Sequence, residues 1–504
     1  MDARQIKEDV EAGRIDVDRL IELIDAQQRL LREMQRELED ARRRIAELEK
    51  KLGPQASSRV EGSFSVQAEE KRQEARGKVK GKRNRPTRRG RVTTAEKVRR
   101  AERTEKCYPP GMAESECWHS HTRPVWRLEG GRAVLVAYEI YRARNGDYGR
   151  IRGVVGRSEF GLEIVIAISF QVHQLGMSFD QVCLLMGFFL KLDLKKSQVD
   201  ALLTQLARHW EGEFERLCVL LANSAVVHAD ETSWSLNSVW AFLSEKSRVI
   251  LFGVHKDAAT LEEILDPATF AGILISDDAA VYADFSAAQK CWAHLLRKAI
   301  KLTLIAPDNA AYRELADGLL AIYREACRVQ CDRRLSDAGR ARKVAALDDQ
   351  IVKLCGPMWS ADLPPLEGPD NDYRLLCNEV MRLMLVRELF TFVTAAHVKT
   401  PTGEAVPVAG TNNEAERTLR NPATARDTGR TNKTMTGARR RTIHTSVLES
   451  LRCYLPEFTL SAAISEVQRW LDTGRSCFAR MLQKLRLKPR DHSVLEALYS
   501  APDG

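Results

Sequence analysis

The chain has 504 residues, 44% of them hydrophobic and 29% charged, with a formal net charge of +9. That length exceeds one ordinary domain and allows two or three, with at least one sizeable core. The longest apolar run, near Leu162–Val172, is interrupted by Glu163, Ser169 and Gln171 and is too short for a bilayer; the amino terminus lacks the apolar core of a secretory signal, and eleven scattered cysteines read as reduced thiols. The expectation is a cytoplasmic protein that does not engage a membrane.

Along residues 1–52, Val17, Leu20, Ile24, Gln27, Leu31, Met34, Leu38, Ala41, Ile45, Leu48 and Leu52 alternate spacings of three and four, which predicts a coiled coil. A lone helix cannot bury such a seam, so the chain is expected to self-associate through it. Residues 53–106 hold few large apolar side chains and read as a basic, disordered linker. From Lys71 to Lys106 sixteen Lys and Arg face four Glu, a net of +12, which leaves the rest of the chain at −3. The run GKVKGKRNRPTRRGR, with Arg83, Arg85, Arg88 and Arg89, is the segment expected to meet the phosphates of nucleic acid.

Residues 107–157 lean towards β structure and carry Cys107, Cys117, His119 and His121, a C-x9-C-x-H-x-H pattern. Zinc takes four such ligands, but the spacing is irregular, so a degenerate zinc site and no metal at all are both open. Residues 158–223 are helical in pattern. Ser178 and Ser197 are predicted N-caps of two helices that either read DNA as a helix-turn-helix or pack as ordinary helices.

Residues 224–304 turn to strands: SAVVHAD, then VWAFLSEKSRVILFGVH as two strands, the helix DAATLEEILD, and the strand AGILISDD. This β-β-β-α-β order predicts an α/β sheet covered by helices. Asp230 and Asp277 stand at the carboxyl ends of two of its apolar strands, where such a sheet binds ligands. Glu231 and Asp278 follow them, and strand alternation allows one ligand from each doublet. The reading beside this one is turn or cap carboxylates with no chemical role. Residues 305–400 read as a helical insertion, 401–456 as the last part of the core, and 457–504 as a helical carboxyl-terminal region.

HADETSW (228–234), ISDDAAVYADF (275–285), CWAHLLRK (291–298) and NNEAERTLR (412–420) together resemble the IS66-type insertion-sequence transposases of the DDE group. The resemblance runs from about residue 156 to 456 and includes the arrangement of coiled coil and basic linker. It implies a ribonuclease-H-like core whose acidic triad is Asp230, Asp277 and Glu416. It also implies two Mg²⁺ or Mn²⁺ ions held by those carboxylates, cleavage of DNA at element ends and strand transfer into target DNA. Zinc is not part of that expectation; double-stranded DNA and small accessory proteins are. Alternatives are a nuclease that cuts without joining, or a catalytically silent DNA-binding descendant.

Asn412 is the predicted N-cap of the helix that carries Glu416, with Glu414 turned elsewhere. Arg417 and Arg420 follow, then a basic cluster of Arg426, Arg430, Lys433, Arg439, Arg440 and Arg441, all read as DNA contacts. Cys291 and His294 form a C-x2-H pair similar to one found after the second aspartate in DDE groups. There Cys291 is expected to pack and His294 to stand beside the active site.

Overall fold

The computed structural model describes residues 92–359 and 366–500. The predicted coiled coil and most of the linker, with Arg83, Arg85, Arg88 and Arg89, lie outside the described residues. The last part of the predicted linker is folded instead. Helix α1 (Thr94–Arg99) starts where the Thr93 hydroxyl accepts the Glu96 N–H at 3.2 Å. Strand β1 (Arg103–Cys107) then pairs in parallel with β3 (Arg132–Ala143), which is antiparallel to β2 (Cys117–Glu129). Ion pairs hold this charged stretch where apolar burial is lacking: Arg103 with Glu129 at 2.6 Å and Arg132 with Glu102 at 2.7 Å.

Cys107 ends β1, while Cys117, His119 and His121 lie along β2 around a bulge between the two histidines. His119 bonds Thr122 and His121 bonds Ser120. Among the described residues these four do not converge as metal ligands.

Helix α2 (Leu162–His173) is followed by α3 (Phe179–Leu190), which Ser178 caps through a capping box with Gln181. The next helix, α4, runs for 27 residues from Lys196 to Ala222, so it is not the second of two short helices. Ser197 sits inside its first turn; Lys195 holds the N-cap position, its N–H donating to the Gln198 side chain at 3.0 Å. Leu202, Leu206, Trp210, Phe214 and Leu217 are buried along its length, which makes it a packed core helix.

A five-stranded sheet follows: β4 (Val226–Ser233), β5 (Ser238–Leu243), β6 (Arg248–Val254), β7 (Ile273–Ser276) and β8 (Ala288–Lys290), with helix α5 (Ala258–Glu262) between β6 and β7. Its spatial order is β6-β5-β4-β7-β8, with β4, β5 and β6 antiparallel and β7 and β8 parallel to β4. Both faces are apolar because alternate residues enter different cores. Val227, Ala229, Trp240, Phe242, Val249 and Leu251 pack with α4 on one face. On the other, Val226, Ile273 and Ile275 meet the helical insertion, while Val239, Ala241, Ile250 and Phe252 meet the helix that bears Leu419.

The insertion contains α6 (Trp292–Ile305), α7 (Ala310–Cys331), α8 (Asp337–Cys355), α9 (Gly368–Leu385) and α10 (Thr391–Thr394), then the short hairpin β9 (His397–Lys399) and β10 (Ala405–Pro407). Chain order then gives α11 (Asn413–Asp427), α12 (Met435–Tyr454), α13 (Leu460–Thr473), α14 (Cys477–Leu485) and α15 (Val494–Tyr499). Among the described residues no helix is long and apolar enough to cross a membrane.

Helix α12 seals the β6 edge with a ladder of hydroxyls. Thr442, Ser446 and Ser450 accept the backbone N–H groups of Phe252, Ile250 and Arg248, each at 2.9 Å. Four helical residues rise about 6 Å and two strand residues about 6.7 Å, so the spacings match. The approach is close. Gly253, at φ 77°, would place a Cβ 2.9 Å from that of Ala438. An edge strand that would otherwise offer open donors is thereby closed.

Candidate active site

Strand β4 does not stop at Asp230, as the sequence suggests, but runs on to Ser233. What stops there is its parallel pairing. Val226 faces Ile273 and His228 faces Ile275 in register, while the antiparallel pairing with β5 continues to Ser233. Those parallel pairs differ by 47 in sequence, and so do Asp230 and Asp277. Each aspartate thus follows the last parallel pair, His228 and Ile275, by two residues, at the same end of neighbouring strands. Alternation turns both towards the face of Val226, Ile273 and Ile275, where the insertion and α11 sit.

The same alternation separates the doublets. Glu231 turns to the opposite face, where Lys256 pairs with it at 2.6 Å and the Tyr282 hydroxyl donates to it. Asp278 is ion-paired with Arg382, and Glu414 with Arg248 at 2.6 Å. Asp230 and Asp277 differ: among the described residues neither forms an ion pair with a Lys or Arg, and their contacts are backbone donors. The Glu231 N–H reaches Asp230 at 3.0 Å, and the Ala279 N–H reaches Asp277 at 3.1 Å.

Burial pushes the Asp230 carboxyl up to about 7, and the negative charges of Glu231, Asp277 and Glu416 add to the shift. Asp277 and Glu416 thus lie close enough to Asp230 to raise it. A half-buried carboxylate crowded by acids and perturbed in this way is a candidate functional residue. Carboxylates on β4, at the end of β7 and on α11 are the hard oxygen ligands that Mg²⁺ takes, while among the described residues the side chains whose ligand atoms lie within 4.8 Å of one another are Cys291, His294 and Glu416.

Glu416 lies in the first turn of α11, and its position depends on Asn412. Asn412 is at the N-cap, yet its side chain makes no capping bond. It is fully buried, donating to the Ala229 carbonyl at 2.7 Å and lying 3.1 Å from His228 Nδ1. It therefore ties the start of α11 to β4 one residue from Asp230. The Asn412 N–H donates to Cys291 Sγ at 3.1 Å, and burial pushes the Cys291 thiol up. His294 Nδ1 is 3.6 Å from Glu416 Oε1, and the exposed Arg297 is ion-paired with the same oxygen. The sequence reading missed Arg297; its place three residues after His294 on α6 is the signal for it.

The basic cluster divides in two. Arg417, Arg420, Arg430 and Lys433 are exposed. Arg426 is half-buried and donates to the Ser233 carbonyl at 3.0 Å, near the end of β4. Arg439, Arg440 and Arg441 are engaged inside the protein. Arg439 pairs with Glu496 at 2.9 Å, Arg440 pairs with Asp200 at 2.6 Å, and Arg441 packs over the Trp234 and Phe252 rings. These three contacts brace α12.

The fold and this cluster define an α/β protein whose mixed sheet, flanked by helices, presents acidic side chains beneath a large helical insertion. The profile of the IS66 family of transposases matches residues 157–440, more than half of the chain, and the chain belongs to that family. No curated protein matches the chain.

Proposed function

We propose that this transposase cuts DNA at element ends and joins the freed ends to target DNA, with Asp230, Asp277 and Glu416 as its acidic triad. The observation that carries this reading is the shared 47-residue offset, by which two carboxylates without ion-pair partners among the described residues each follow the last pair of neighbouring strands by two residues. The sheet order β6-β5-β4-β7-β8, with the insertion between the last strand and the helix of Glu416, supports reading the core as ribonuclease-H-like. Two Mg²⁺ or Mn²⁺ ions held by these three residues would supply activation of the attacking oxygen and stabilisation of the leaving one.

The chain's own residues do the positioning. Lys256 and Tyr282 fix Glu231 and so the far end of β4, while Asn412 fixes α11 against the same strand. The exposed Arg417, Arg420, Arg430 and Lys433, with Arg426 near the strand end, suit the backbone of double-stranded DNA. His294 stands beside Glu416. Self-association through residues 17–52, DNA contact by Arg83, Arg85, Arg88 and Arg89, and small accessory partners belong to the same proposal.

The test is cleavage of an end-labelled duplex of the element end in Mg²⁺. The wild-type chain is expected to release a 3′-hydroxyl end, and Asp230→Asn to bind the duplex without cutting it. Cutting by that variant at the wild-type rate overturns the assignment.

A further inference from the structure

Beside the three carboxylates, between the ends of β7 and β8 and helices α6 and α9, lies a cavity of about 670 Å³. Asp277 and His294 belong to its wall, so it opens onto the candidate site. The helical insertion supplies Trp359, Leu375 and Asn378 to the same wall. These residues are not arranged as a finished protein interface. Trp359 is 44% exposed and Leu375 53% exposed, and Asn378 Oδ1 is buried without a hydrogen-bond partner. A buried amide oxygen with no donor is costly to keep, and a ligand N–H would satisfy it.

The cations of the wall are already engaged. Lys298 pairs with Glu379 at 2.6 Å, Arg382 pairs with Asp278, and the buried Lys290 donates to the Ser276 hydroxyl at 3.3 Å and lies over the Tyr282 ring. The cavity therefore does not suit a second phosphate. An aromatic face, an aliphatic side chain and one orphaned acceptor fit a flat, neutral ring that carries N–H groups. In DNA that ring is a nucleobase, and within a stacked duplex its faces are hidden.

We propose that the cavity receives one nucleobase, unstacked from the strand next to the phosphate held at Asp230 and Asp277. The base lies against Trp359 and donates an exocyclic N–H to Asn378 Oδ1. This inference rests on the catalytic reading above, because that reading brings a phosphate to the cavity mouth. Adenine, cytosine and guanine carry an exocyclic amino group and thymine does not, so thymine is disfavoured at that nucleotide.

The experiment compares cleavage by full-length wild-type, Trp359→Ala, Trp359→Phe and Asn378→Leu chains in Mn²⁺. The substrates are intact element-end duplexes and duplexes lacking the base at a single nucleotide flanking the cut. Trp359→Ala is expected to slow cleavage of intact duplex by about 5- to 150-fold, the range for loss of one base–aromatic stack. Trp359→Phe keeps the stack and stays near the wild-type rate. One abasic position brings Trp359→Ala close to wild type, because no base then has to be housed. Asn378→Leu loses the discrimination against thymine. Wild-type cleavage with an unimpaired Trp359→Ala, or a deficit equal on every abasic duplex, overturns the pocket alone. Absence of metal-dependent cleavage by the wild-type chain overturns the catalytic reading and this inference with it.

Discussion

Replacing Asp230 by Asn is expected to stabilise the metal-free protein while abolishing its activity. Burial and the surrounding acids raise the Asp230 carboxyl from 3.8 to about 7. The unfolded chain releases this proton near pH 4, but the folded chain keeps it until about pH 7. The folded state therefore binds more protons across that window, and stability falls as pH rises through it. At ~1.36 kcal/mol per pKa unit the penalty approaches about 4 kcal/mol above pH 7, an upper figure because water and relaxation soften it. Asparagine keeps the acceptor for the Glu231 N–H but cannot ionise, so it removes the penalty. With ~2.1 cal/mol/K of unfolding entropy per residue over about 400 described residues, the gain in Tm is at most about 5 °C. Thermal unfolding at pH 8 without metal, repeated at pH 4, reads this difference and its disappearance. Adding Mg²⁺ should then stabilise the wild type, by about 2.7 kcal/mol at 100 times its Kd, and leave the variant unmoved. A variant less stable than wild type at pH 8 without metal, or one that responds equally to Mg²⁺, refutes the reasoning.

Other outcomes follow from single contacts. Ser446→Ala leaves the buried Ile250 N–H without its acceptor at 2.9 Å and should cost about 1–3 kcal/mol in urea unfolding. Asn412→Ala removes the bond to the Ala229 carbonyl, so Mn²⁺ affinity measured by calorimetry should weaken as Glu416 loses its position. Burial lowers His444 from 6.5 to about 3, so its neutral form belongs to the fold. Stability should decline as pH falls below 6.5, by about 2 kcal/mol at pH 5, in denaturant titrations at pH 7 and 5. Arg297→Gln removes the cation paired with Glu416, and tighter Mn²⁺ binding in the same calorimetry checks it.

The β-β-β-α-β order and the helical insertion were legible in the sequence because strand runs and helix periods are local signals. The 47-residue spacing was visible too, but its meaning as a strand register was not, since register needs the pairing partner. Choosing Asp230 over Glu231 required knowing which face holds α11; both faces of β4 are apolar, so the sequence pattern does not distinguish them. Arg439, Arg440 and Arg441 look the same in sequence as Arg430, yet Glu211, Asp200 and the Trp234 ring lie against them only in the folded chain. Asn412 was read as a cap from its local position, but its side chain serves a tertiary contact with β4. Trp359 and Asn378 carry no local signal at all, and the insertion brings them to Asp277 from about a hundred residues away.

Joining is the step that separates a transposase from a nuclease. A duplex ending in the freed 3′-hydroxyl, incubated with supercoiled plasmid and Mg²⁺, should become covalently attached to the plasmid in the presence of the wild-type chain. Asp230→Asn, Asp277→Asn and Glu416→Gln should each reduce that product to background. Joining by any of the three at the wild-type rate, or cutting without joining by the wild type, would contradict the account.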